Sequence, residues 1–185
     1  MSAIGVGIED ALFMNGQNWQ TIPRIVLPLR RLGVPATAVM DLDVLMDKDF
    51  KHIWPLVDAP SDVLGRLQKA RAAVKAYMDK ATRPSIKALG LNALTGSERA
   101  SAEGLIKAFA QHGVFFVPNG ELEGWMQASG AKRSDKAKWL LEVFAYMGAD
   151  PDLPGYLKPS DDDVWSFVSE LKTWIDNPLR LGIPD

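Results

Sequence analysis

Ala36-Thr37-Ala38-Val39-Met40-Asp41-Leu42-Asp43-Val44-Leu45 is the stretch on which the reading of the fold turns. It is an apolar run interrupted by two carboxylates one residue apart, which reads as a short buried strand. Side chains on a strand alternate with period two, so Asp41 and Asp43 are expected to point to the same side. In an open parallel sheet the C-terminal ends of the strands hold the ligand. Two carboxylates gathered there repel unless they are neutralised, and a hard divalent cation with oxygen ligands is the usual solution.

Upstream, residues 21–32 carry Ile22, Ile25, Val26 and Leu29 at helical spacing, with Arg24, Arg30 and Arg31 supplying charge. Pro23 suits a first helical turn, Pro28 is expected to kink or shorten the helix, and Gly33 to end it. Residues 4–8 and 11–14 each read as a strand, with Asn15-Gly16 a turn signal. The Gly5, Gly7 pair is not a phosphate loop, because no third glycine or following lysine completes the motif.

Downstream, residues 46–52 are polar and suit the start of another helix. Residues 61–80 predict a long helix with Ser61 as N-cap and Val63, Leu64, Leu67, Ala70, Val74, Tyr77 and Met78 on its apolar face. Arg66, Lys69, Arg71, Lys75 and Lys80 load it with positive charge, which suits a solvated face or a phosphate-backbone surface. Residues 84–96 read as a connecting arm with a short helix, and 97–112 as a helix with Leu105, Ile106 and Phe109 inward. Val114-Phe115-Phe116-Val117 is a second clear strand, and the turn after it, Pro118-Asn119-Gly120, leads to Glu121 and Glu123. Two apolar strands, each ending in a pair of acids, are more informative than either alone. Helices are expected over 134–147 and 164–175, the last with a capping box from Ser160 and Asp163. His52 and His112 lack a ligand-like spacing and read as ordinary polar residues, and the six tryptophans as core or interface.

The bulk numbers agree with a soluble globular chain. At 185 residues, 47% hydrophobic and 24% charged, it can bury a continuous core and shows no sign of disorder. A net charge of -2 gives no global basic field, so nucleic-acid binding would need a local basic patch or a basic partner. With no cysteine there is no disulfide, thiol catalysis or zinc–thiolate site. No apolar run approaches the roughly 20 residues that span a bilayer, and the N-terminal residues lack a secretory pattern, so a cytoplasmic location is expected.

The sequence from Gly33-Val34-Pro35 through Val39-Met40-Asp41-Leu42-Asp43, followed later by Gly113-Val114-Phe115-Phe116-Val117-Pro118-Asn119-Gly120-Glu121-Leu122-Glu123, resembles the Toprim domain of overcoming-lysogenization-defect (OLD) family ATPase-nucleases. The resemblance covers residues 11–148. It implies an α/β, Rossmann-like, mainly parallel sheet flanked by helices over 1–150, with a helical arm at about 61–112 and a helical C-terminal extension over 151–185. It implies DNA phosphodiester cleavage with Mg²⁺ or Mn²⁺. Asp41, Asp43, Glu121 and Glu123 would be the metal ligands, and Lys136 or Lys138 would steady the phosphate. DNA is then the partner, with an ATPase domain or subunit and a second copy of the chain as further ones. Two cations about 4 Å apart would activate water and stabilise the leaving oxygen.

One departure stands out: Toprim domains open with a strand ending in a glutamate, commonly Glu-Gly, and Glu9 is the only glutamate upstream of Asp41. The chain therefore reads as a fragment or shortened relative lacking that strand. Two alternatives follow, a non-catalytic Toprim-like interaction module and a phosphatase of the haloacid dehalogenase type. In the phosphatase Asp41 would be the nucleophile and Asp43 the acid/base, but Leu45 stands where Thr or Val is usual.

Overall fold

A computed structural model describes residues 12, 14–121, 142 and 163–183. The chain enters through an Asx turn in which the Gln17 N–H bonds Asn15 Oδ1 at 2.8 Å, then forms helix α1 (Ile22–Arg31). Pro28 lies inside α1 without ending it. The N–H groups of Gly33 and Val34 close the helix on the carbonyls of Arg30 and Leu29. Strand β1 (Ala38–Asp41) follows, then short 3-10 turns over Leu42–Met46, Phe50–His52 and Trp54–Leu56. Helix α2 (Ser61–Ala81), helix α3 (Arg83–Leu89), helix α4 (Gly96–Ala110), strand β2 (Val114–Val117) and helix α5 (Asp163–Asp176) complete the described order.

β1 and β2 pair in parallel, with Ala38 opposite Val114 and Asp41 opposite Val117. Among the described residues the sheet has these two strands, so the molecule is α/β and mostly helical. All four residues of β2 are buried, which is what a parallel strand covered on both faces requires. Phe116 packs into the main core with Phe50, Trp54 and Phe109, whose neighbouring ring centroids lie 5.1–6.2 Å apart. Phe115 faces the other way, against Phe167 and Trp174 of α5. The two alternating aromatics of one four-residue strand thus anchor two layers.

Several expectations from the sequence are corrected. Asp43 is not on the strand: β1 stops at Asp41, and Asp43 sits in the 3-10 turn that follows. Leu42, Val44, Leu45 and Met46 are all buried, as they would also be in a strand covered on both faces, so burial alone does not tell strand from turn. A 3-10 turn sets Leu42 and Leu45 one above the other and folds the run into the core. The polar segment after it forms further 3-10 turns rather than a helix. Pro60, not Ser61, occupies the N-cap of α2.

The basic face of α2 is divided. Arg66 and Lys75 pair with Asp62 and Asp79 on the surface, whereas Arg71 donates to the carbonyls of Leu45 and Asp47 and lies 4.4 Å from the Phe50 ring centre. Arg71 therefore holds the turn that carries Asp43.

Arg30 is not a surface charge. It is 1% exposed, and its guanidinium donates to four backbone carbonyls, those of Ala36 (2.8 Å), Leu56 (2.6 Å), Gly182 (2.8 Å) and Gly113 (3.1 Å). The Trp174 ring lies 5.3 Å away, and burial lowers the Arg30 pKa to about 10, still well above neutrality. His112, read as an ordinary polar residue, is buried beside it. Its Nδ1 has no partner, and burial lowers its pKa. Of the tryptophans, Trp174 belongs to the second apolar cluster, and Trp19 and Trp54, partly buried, pack against the first. The expected strand over 4–8, the helix over 134–147 (Glu142 apart), Trp125, Trp139 and the capping box at Ser160 lie outside the described residues.

Candidate functional site

The parallel pairing sets the C-terminal ends of β1 and β2 side by side. One further backbone bond, Leu42 N–H to Gly120 O at 3.0 Å, joins the turn after β1 to the turn after β2. Asp41 ends β1, Asp43 follows in the 3-10 turn, and Glu121 comes directly after Gly120. Three of the acids singled out in the sequence, from two motifs far apart in the chain, are thereby brought to one edge of the sheet. Glu123 and Lys136 lie outside the described residues.

The acids are met by two cations. Asp43, its side chain 9% exposed, accepts from Arg83 Nη1 at 3.1 Å and lies 3.8 Å from Lys87 Nζ. Lys87 Nζ donates to Glu121 Oε1 at 3.0 Å, so one ammonium bridges the two turns. Arg83 also stands 4.0 Å from Asp47. The Lys87 pKa is raised, first by the hydrogen bond to Glu121, against some desolvation, and then by the charges of Asp43, Glu121 and Asp41. Lys87 and Arg83 are themselves 42% and 43% exposed, so the network faces water from the α3 side.

Two glycines seat α3 on this edge. Gly90, just past α3, has φ +58, and Gly120 has φ +92. A Cβ on Gly90 would run into Pro118 O and Asn119, and one on Gly120 into the carbonyl oxygens of Ile86 and Lys87. Only residues without a Cβ let the end of α3 lie against the turn after β2 at this distance. The Leu91 N–H seals the contact on Pro118 O at 2.8 Å, and the fully buried Ile86 plugs it from below. At the other end of α3, Thr82 at φ 72 breaks the chain direction after α2, and Pro84 starts the new helix.

Arg83, Lys87 and Asp47 are members of the site that sequence reading did not find. The available signal was the four-residue spacing of Arg83 and Lys87, which puts two cations on one face of the arm's short helix. A cleft of about 400 Å³ borders the same turn at Leu91, Pro118 and Asn119 and is lined further by Phe115, Phe116 and Phe167, with Arg99 and Glu103 paired to each other at 2.8 Å. Asp41, Asp43, Asp47 and Glu121 are not among its lining residues.

Carboxylate oxygens are the donors that a hard divalent cation prefers. Even so, the described residues as arranged do not fit one: among them no three His, Cys, Asp or Glu stand together as a metal-holding group, and Arg83 and Lys87 already neutralise the acids. Among the described residues, too, no helix is long and apolar enough to cross a membrane. No family model matches the chain, and no curated protein or solved structure matches it either.

Proposed function

We propose that this chain is a Toprim-like domain of the OLD nuclease type, acting on DNA phosphodiesters with Mg²⁺ or Mn²⁺ and working beside an ATPase domain or subunit. The observation that carries the reading is the convergence of Asp41, Asp43 and Glu121 at the C-terminal ends of two neighbouring parallel strands, where α/β sheets place their chemistry. The reading assigns these three, with Glu123, to the metal, and Lys136 to the phosphate. A second reading, a non-catalytic Toprim-like module that binds a partner, is favoured by the ion pairs of Arg83 and Lys87, which occupy the same carboxylates.

Calorimetric titration of Mn²⁺ into this chain and into an Asp41→Asn, Asp43→Asn double variant tests the choice, alongside Mn²⁺-dependent nicking of supercoiled DNA. Heat and nicking that disappear in the double variant support the nuclease. A folded chain that gives neither, also when Lys87 is replaced, leaves the interaction module.

A further inference from the structure

We propose that His112 is a proton-operated release for the C-terminal segment 177–183, which is fastened beside it on Arg30. The device is separate from the acidic edge and stands whether or not the nuclease reading does.

Segment 177–183 is fastened through Leu181, Gly182 and Ile183. Gly182 O accepts from Arg30 Nη1 at 2.8 Å, Leu181 O accepts from Trp174 Nε1 at 3.2 Å, and Ile183 packs against the cluster of Phe115, Phe167 and Trp174. A Cβ on Gly182 would meet His112 O at 2.5 Å and Arg30 Nη1 at 2.8 Å, so the segment runs hard against both residues. Its outer side is open, with Leu179 84% and Leu181 51% exposed. The other three carbonyls on Arg30 are set more firmly. Leu56 is fully buried, Gly113 O also takes the Ala38 N–H, and Ala36 leads almost directly into β1. Of the four, Gly182 is the one whose loss disturbs the sheet and the main core least.

His112 supplies the trigger. It is 5% exposed, and its Nδ1 is buried without a hydrogen-bond partner, so a proton gained there finds no acceptor. The charged groups that face the ring are Arg30 from α1 and Asp58 from the link ahead of α2, and the Val57 backbone hydrogen-bonds it. Val57 and Asp58 favour the proton. Burial and the Arg30 charge oppose it and prevail, which holds the His112 pKa below its ordinary value. In the fastened state at neutral pH, His112 is therefore neutral. Once protonated, it sets a second cation beside the Arg30 guanidinium in a site closed to water. Undocking the segment admits water to both groups, which solvates the new N–H and weakens the repulsion. Release also bares Trp174 and Phe115, which with Leu179 and Leu181 line a groove of about 640 Å³.

Hydrogen exchange of the full chain, read by mass spectrometry at pH 7 and pH 5 and corrected for intrinsic exchange rates, measures the release. Because the fastened state holds the proton less well than the released one, docking is complete above pH 6.5 and weakens as the pH falls below it. Protection of residues 174–183 is expected to fall by up to about tenfold per pH unit there, while that of α2 stays within about twofold. In His112→Gln the fall is expected to vanish. The chain has two histidines, so NMR titration of the ring signals, assigned with the exposed His52→Gln, gives a second reading. The midpoint of His112 is expected to coincide with that of the release, and His52→Gln to leave the release unchanged.

Protection at 174–183 that is equal at pH 7 and pH 5, or that falls alike in the wild type and His112→Gln, overturns the inference. A His112 ring that titrates in the wild type with no loss of protection at 174–183 overturns it without any substitution at that position.

Discussion

Arg30 and Lys87 are both cations that tie distant parts of the chain together, yet they do it in opposite ways. Arg30 is sealed inside and hydrogen-bonded to carbonyl dipoles, from the α1–β1 link, the 3-10 turn at Leu56, the residue before β2 and the C-terminal segment at Gly182. Lys87 sits at the surface and is bound to full negative charges. A buried guanidinium held by neutral acceptors is shut off from water and dissolved ions, and its loss would leave several carbonyls without donors. A half-exposed ammonium is reached by water and dissolved ions, which a sealed guanidinium is not. The difference separates a structural clasp from a solvent-facing ion pair.

The sharpest way to break this comparison is Arg30→Met, which removes the guanidinium donor from the carbonyls of Ala36, Leu56 and Gly182 and one of the two donors from that of Gly113. It is expected to lower unfolding stability by on the order of 3 kcal/mol, read as a fall of roughly 10 °C in the thermal midpoint. A change no larger than that of a surface lysine would show that Arg30 is not the clasp.

A smaller effect is expected from Gly120→Ala, where the added Cβ meets the carbonyls of Ile86 and Lys87 at a backbone angle that disfavours it. The cost is roughly 1–3 kcal/mol. The informative part is local: amine labelling of Lys87 should rise as α3 is pushed from the acidic edge, and unchanged labelling would mean that the glycine contact does not position Lys87.

The smallest effect concerns pH and sharpens the buried side of the comparison. His112 has a folded pKa below its ordinary value of 6.5, chiefly because of burial, with the charge of Arg30 acting in the same direction. The unfolded chain therefore binds the proton more readily. The stability that His112 contributes is complete above pH 6.5 and is lost as the pH falls below it toward the folded value. Urea midpoints are expected to fall between pH 7 and pH 5 in the wild type and to fall less in His112→Gln. Parallel loss in both proteins would place the sensitivity elsewhere.

What could be read from the sequence follows from where the information is local. The apolar runs at Ala38–Asp41 and Val114–Val117 gave both strands, the 3.6-residue periodicity gave α1, α2 and α4, and Asn119-Gly120 marked the turn before Glu121. The parallel pairing of those strands was a reasonable expectation, because the strands are separated by helices. The extended placement of Asp43 failed because periodicity cannot separate a short strand from a 3-10 turn when every apolar residue is buried.

By itself, then, the amino-acid order determined two apolar strands with acids just beyond their ends, and the helices between them. The tertiary structure alone decided that Arg83 and Lys87 meet Asp43 and Glu121, and that Arg30 lies inside. The reason is physical: strand and helix formation depend on neighbours in sequence, whereas the partner of a charge depends on which surfaces packing brings within a few ångströms, and here two glycines far apart in the chain set that distance.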